Sequence, residues 1–265
     1  DVASAEPSWE LWDLGRIVAG SSELTANFDA GLEGLEERLR ADPAAAPFLG
    51  AFDGFLARHG ARGPNEWEMA CEVWDTDHRF PLALVDRMRV AGPDHAPAVR
   101  AERLATGRRA ALADARSRLR GRHLRWFERC LASAESHTRA REAGKTLLVE
   151  IIHECRLALR ELGRRLAERG GGAPDDLWYV LYSELDDYRR DPSSFGEVVD
   201  GRRRTREALS GLVPPFVFDG EVPPVATWKR RADSEVVPVP VGSILTGIGG
   251  CPGVARGRAR VVLDP

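Results

Sequence analysis

Residues His137 to Arg169 read HTRAREAGKTLLVEIIHECRLALRELGRRLAER. Along this stretch Thr138, Arg141, Lys145, Leu148, Ile152, Cys155, Leu159, Leu162 and Leu166 follow one another at alternating steps of three and four. That period places them on one face of an α-helix. From Leu148 onward the stripe is apolar and is expected to face a core. Its first two turns carry Arg141 and Lys145 instead, at i and i+4. Like charges at that spacing repel and weaken an isolated helix slightly. On a core-facing stripe they call for an anion or for carboxylate partners. A phosphate or phosphoryl group in a cleft meets that demand, because Arg offers a planar fork and Lys a compact point charge. Glu142, one residue round the helix, is placed to orient either cation. A helix end emerging into water, with ion pairs to neighbouring acids, would give the same pattern.

The chain on either side also reads as helix. Ser21-Ser22 is suited to cap a helix whose apolar positions are Leu24, Phe28, Leu32, Leu35 and Leu39. Pro43 and Pro47 interrupt it. Phe48, Phe52, Phe55 and Leu56 form another apolar face, closed by Gly60 as C-cap. A loop is expected over residues 61–80, a short helix from Pro81 to Arg89, and a long Ala- and Arg-rich helix, or two, over 97–134. The helix of 137–169 stops at Gly170-Gly171-Gly172. Leu177-Trp178-Tyr179-Val180-Leu181 is either a short strand or a buried helical turn. Ser183-Glu184 looks like a helix start, and one more helix is expected over 194–211. From Val213 to Val241 the recurrence of proline predicts an extended linker with little regular structure.

Composition bounds the function classes. Of 265 residues 43% are hydrophobic and 30% charged, which suits a soluble, packed protein. A net charge of −3 gives no global attraction to nucleic acid or anionic membrane. Lys145 and Lys229 are the lysines; Arg carries the remaining positive charge. Cys71, Cys130, Cys155 and Cys251 contain no C-x-x-C, so neither a zinc site nor a disulfide framework is indicated. The six histidines show no H-x-x-x-H spacing, and no metal site is expected. No signal peptide and no apolar run near the ~20 residues of a membrane span is present. A cytoplasmic location is expected. Arg108-Arg109 and Arg202-Arg203-Arg204 are flanked by acids and read as solvated helix faces.

The last stretch, Thr246 to Asp264, reads TGIGGCPGVARGRARVVLD. Five glycines in eleven residues lead into a β-branched run, which suggests strands joined by a tight turn. Such strands need partners, so the chain is read as a piece of a longer protein. Leu245, Gly247, Pro252, Gly253, Gly257, Ala259, Val261 and Val262 resemble, in order and spacing, the start of the swivelling phosphohistidine domain of phosphoenolpyruvate-utilising enzymes, the group of phosphoenolpyruvate synthase and rifampin phosphotransferase. Cys251 stands where that pattern has Ser. Arg141-Glu142-x-x-Lys145 resembles the R-E-x-x-K helix of the same group's substrate-binding region. Arg58-His59-Gly60-Ala61-Arg62-Gly63-Pro64-Asn65-Glu66-Trp67-Glu68 resembles its h-G-x-R-G-P-x-E-x-E loop. In that loop Arg62, backed by Glu66, could contact substrate; a structural Arg–Glu pair locking a surface loop is the plainer account. Asp175 to Leu185 resembles the group's D-x-F-Y-L-x-x-x-E-L, taken as packing.

The resemblance implies a mainly α multi-helix body over residues 1–212, a proline-rich linker over 213–241, and the first strands of a swivelling α/β domain over 242–265. It implies a parent enzyme in which an ATP-grasp domain, using ATP and Mg²⁺, phosphorylates a His on the mobile domain. That domain then passes the phosphoryl group to a small-molecule acceptor. This chain would hold the acceptor and the hinge, with Arg141, Lys145, Glu142, Arg62 and Glu66 binding substrate or phosphoryl group. The carrier His lies beyond the residues present, so the chain alone is expected to be inactive and to bind no cofactor by itself. A non-catalytic helical binding or scaffold protein of the same descent is the rival expectation.

Overall fold

A computed structural model of the chain describes residues 5–231 and 242–244. The fold is mainly α. Among the described residues are nine α-helices and one two-stranded sheet: α1 (Glu6–Ala19), α2 (Ser22–Asp29), α3 (Leu35–Ala41), α4 (Ala46–His59), α5 (Arg79–Val90), α6 (Pro97–Arg118), α7 (Gly121–Glu168), α8 (Leu185–Arg190), α9 (Gly196–Ser210), β1 (Leu212–Val213) and β2 (Lys229–Arg230). The glycine-rich stretch that resembles a swivelling domain lies outside the described residues. Two compact units divide the chain, Asp1–Trp178 and Tyr179–Pro265.

In the first unit, α1 to α5 close around one apolar core. Leu11, Leu14 and Val18 of α1 meet Leu24 and Phe28 of α2, Leu35 and Leu39 of α3, and Leu82 and Val85 of α5. Phe48, Phe52 and Phe55 of α4 run through the middle at helical spacing, with ring centroids 5.8 and 6.4 Å apart. Phe28 meets Phe48 edge-on, and Trp74 stacks on Phe55 at 5.5 Å, an offset geometry that favours aromatic pairs. Ser21 caps α2 by accepting from the Leu24 N–H at 3.2 Å, as its sequence position implies.

Several elements differ from the sequence expectation. The run from Leu24 to Leu39 is two helices, because Gly31 and Gly34 take φ of +98° and +64° between them. The long helices break at Leu119-Arg120 and Gly121 (φ +52°), so α7 runs unbroken through the expected gap at 135–136. A further helix, α1, precedes the expected ones and supplies three core side chains. Of the two alternatives left open for Leu177 to Leu181, strand or buried helical turn, the structure shows a 3-10 turn over Pro174–Tyr179 with Leu177 buried.

The second unit is smaller. Tyr188 of α8 packs edge-on against Phe195, and Arg202 of α9 grips Glu184 at 2.6 and 2.8 Å. Within the proline-rich segment, β1 pairs antiparallel with β2 through Leu212 opposite Arg230 and Val213 opposite Lys229.

Candidate functional site

The loop between α4 and α5 is held open by close packing rather than by secondary structure. Its two sides bond through Trp74 N–H to Arg62 C=O (2.8 Å) and Asp75 N–H to Gly60 C=O (3.0 Å). A Cβ on Gly60 would stand 2.7 Å from Asp75 Cβ, and one on Gly63 3.1 Å from Val73 Cα. The glycines flanking Arg62 therefore let the two sides meet. Between them Arg62 Nε reaches Glu66 Oε2 at 3.0 Å, and Gly63 N–H points at the same oxygen from 3.4 Å. Glu66 is buried, 7% exposed.

The middle of α7 lies across this loop. Lys145 Nζ meets Glu66 Oε1 at 3.1 Å. One carboxylate thus holds a cation on each oxygen, and two separate motifs, Arg62–Glu66 and Lys145, come together. The cluster carries one net positive charge. Lys145 has three donors and Arg62 five, so both keep capacity for an anion beyond their bonds to Glu66. Beside Arg62 opens a cavity of about 350 Å³ between the end of α4, the start of α1 and α7. His59, Thr146, Val149 and Glu150 share its wall. His59 faces Glu10 at 3.3 Å. The Arg58 hydrogen bond, joined by His59 and opposed by burial, holds the Glu10 carboxyl below its ordinary range.

Arg141 is placed differently. Its side chain is 80% exposed and donates to Glu142 Oε1 at 2.6 Å. The inward face of α7 at this level runs through Glu142, Lys145 and Thr146, all half-buried. The expected stripe holds only in part: Leu166 is buried and Ile152, Leu159 and Leu162 are half-buried, but Leu148 is 52% exposed and Cys155 is exposed, and the other buried positions, Val149, His153, Arg156 and Gly163, are rotated one residue on.

That rotation brings in groups that the hydrophobic pattern passes over. Arg156 is fully buried. Its guanidinium donates to the carbonyls of Glu66 (2.9 Å), Glu68 (3.2 Å) and Met69 (3.2 Å) and lies 3.2 Å from His153 Nδ1. Burial pushes its pKa below the ordinary arginine value. Because a guanidinium only donates, His153 Nδ1 must accept, which leaves the ring proton on Nε2 to be donated to Asp75 Oδ2 at 3.2 Å. Arg160 pairs with Glu72 of the same loop. Lys145, Val149, His153, Arg156, Arg160 and Gly163 follow at steps of four, four, three, four and three. Polar side chains at helical spacing were the signal available in the sequence. Among the described residues no group of three His, Cys, Asp or Glu side chains is arranged to hold a metal ion, and no helix is long and apolar enough to cross a membrane.

Residues 1–142 match the family model described as the rifampicin phosphotransferase fourth domain. Over 276 aligned residues, spanning the whole chain and 31% of the relative, the chain is 29% identical to a rifampicin phosphotransferase of a Streptomyces species. It is 37% identical over 130 residues to uncharacterised proteins of Mycobacterium tuberculosis and Mycobacterium bovis, covering 49% of this chain and 14% of each relative. The chain thus spans less than a third of the length of these relatives.

Proposed function

The chain belongs to the family of the rifampicin phosphotransferase fourth domain, and we propose that it forms the acceptor-side part of a phosphotransferase. The observation that carries this is the shared Glu66 carboxylate, which fixes Lys145 beside Arg62, where Arg62 itself lines a cavity. A small-molecule acceptor occupies that cavity and presents a hydroxyl or enolate oxygen to an incoming phosphoryl group. Lys145 and Arg62 offset charge at the transferring group, where positioned cations act most strongly. Arg141, on the solvent side and oriented by Glu142, reaches the phosphoryl group as it arrives. The segment from Val213 to Val241 serves as the hinge. The phosphoryl group comes from a phosphohistidine on a mobile domain, charged by an ATP-grasp domain with ATP and Mg²⁺. Both domains are read as parts of the longer enzyme.

The test uses a full-length phosphotransferase containing this chain. Lys145→Ala is expected to slow phosphoryl transfer to the acceptor by about 10²–10³-fold, while phosphohistidine formation from ATP proceeds as before. Arg62→Ala should act in the same direction. Unchanged transfer in both variants would remove the proposed role and favour a non-catalytic binding function.

A further inference from the structure

Charge is segregated along the chain. Residues 1–96 hold eighteen carboxylates against eight arginines, and residues 97–142 hold twelve arginines against five carboxylates. From residue 143 onward eighteen of each sign cancel. The α1–α5 globule is therefore strongly acidic, and the hairpin of α6 with the first half of α7 is strongly basic. No residue of α6 is buried. Its apolar side chains Val99 and Leu104 are exposed.

At the start of α7, Arg122, Arg125, Trp126 and Arg129 fall at i, i+3, i+4 and i+7 and share one face. Trp126 is 70% exposed. Among the described residues these three arginines make no hydrogen bond or ion pair, whereas Arg108 and Arg116 on α6 are occupied by Glu135 and Glu128. An exposed indole ringed by unpaired guanidinium groups has the composition of an interface hot spot.

The globule carries a matching surface. A groove of about 590 Å³ lies where the approach to α3 meets the start of α5. Leu32 and Phe80 line it and are 37% and 40% exposed. Glu33 and Glu37 line it too, and among the described residues their carboxylates have no ion-pair partner. An indole needs an apolar floor, and free guanidinium groups need carboxylates, ideally in bidentate geometry.

We propose that the α6–α7 tip is an interaction surface whose partner is a second copy of this chain. Trp126 seats on Leu32 and Phe80, and Arg122, Arg125 and Arg129 pair with Glu33 and Glu37. Reciprocal exchange of tip and groove gives a closed two-fold dimer. The charge complement present within the same chain favours this partner over a nucleic acid, for which the face offers a single exposed ring to stack on bases. The inference is independent of the role assigned to Lys145 and Arg62.

Sedimentation velocity on the 265-residue chain tests it. Dimer is expected at about 50 mM NaCl and monomer at about 1 M, where the Debye length shrinks to about 3 Å. Trp126→Ala should weaken the dimer at least tenfold. An arm variant, Arg122→Glu with Arg125→Glu and Arg129→Glu, should be monomeric at low salt, as should a groove variant, Glu33→Arg with Glu37→Arg. Mixing the two should restore a dimer, because the reversed arm meets the reversed groove. That rescue cannot arise from misfolding. A chain monomeric at low salt, a dimer indifferent to both variants, or failure of the mixture to associate overturns the proposal. So does a dimer displaced by single-stranded RNA that binds the same arginines.

Discussion

Replacing Arg156 by Met tests whether the site loop is held from beneath. The substitution keeps most of the side-chain volume and removes every donor. Three backbone carbonyls, of Glu66, Glu68 and Met69, and Nδ1 of His153 then lose their partner. A buried acceptor left unpaired costs about 1–3 kcal/mol. Relief of the desolvation that depresses the Arg156 pKa, together with entry of water, offsets part of that sum. Removing a buried ion is often neutral when its partners are replaced as well, but backbone carbonyls cannot be replaced. The expected net loss is about 3 kcal/mol. Urea unfolding followed by tryptophan fluorescence, to which Trp67 and Trp74 on the loop contribute, reads it as a lower midpoint at unchanged slope. Arg160→Ala is the control: its pair with Glu72 is partly exposed, and its loss should cost under about 1 kcal/mol. An Arg156→Met protein within about 0.5 kcal/mol of the parent would refute the reasoning, since the carbonyls would then have to be solvated already.

Gly163 sits where a Cβ would overlap the Pro174 carbonyl oxygen, so Gly163→Ala should destabilise by about 1–3 kcal/mol. Gly50→Ala, on the exposed side of α4 with nothing within 4 Å, should instead gain up to about 1 kcal/mol from helix propensity; thermal melts that rank the two the other way would contradict the packing described. In the second unit, the Arg202 hydrogen bond, followed by the Leu181 N–H, lowers the Glu184 carboxyl from 4.5 to about 2. A depressed carboxyl contributes stability that is complete above its unfolded value and fades as pH falls toward its folded one. The stability gap between the parent and Glu184→Gln should therefore be flat above about pH 5, narrow below 4.5 and be nearly gone at about 2. A gap constant through that window would show that the pair does not form.

How much of this was legible in the sequence depended on the range of the interaction. The Ser21 cap and the Phe48–Phe52–Phe55 face are local, and spacing alone located them; the Arg62–Glu66 pair is local too, but it is read from the loop's resemblance to a family motif. The link from Lys145 to Glu66 crosses 79 positions, and periodicity carries no information about such a contact. From Val149 to Gly163 the buried face of α7 lies one residue away from the apolar stripe for a related reason, and the two meet again at Leu166. An amphipathic pattern assumes that a helix packs on apolar side chains, which favours Leu148 and Cys155. Here the helix packs on the polar backbone of a loop, so its inward positions are hydrogen-bond donors, His153 and Arg156, which that pattern scores as solvent-facing.

Glu66 is where those two ranges meet. Its carbonyl accepts from Arg156, and its carboxylate holds Arg62 and Lys145. The anchor of the loop and the orientation of the cations therefore pass through one residue. Loosening Arg156 should release the carboxylate as well as the backbone, so Arg156→Met should lower stability and, in a full-length phosphotransferase containing this chain, the proposed transfer. Lys145 is partly exposed and touches only the carboxylate end, so its removal should lower transfer with a stability change under about 1 kcal/mol. The two substitutions thus separate a site that merely needs its loop in place from one in which the Lys145 cation itself acts on the travelling phosphate.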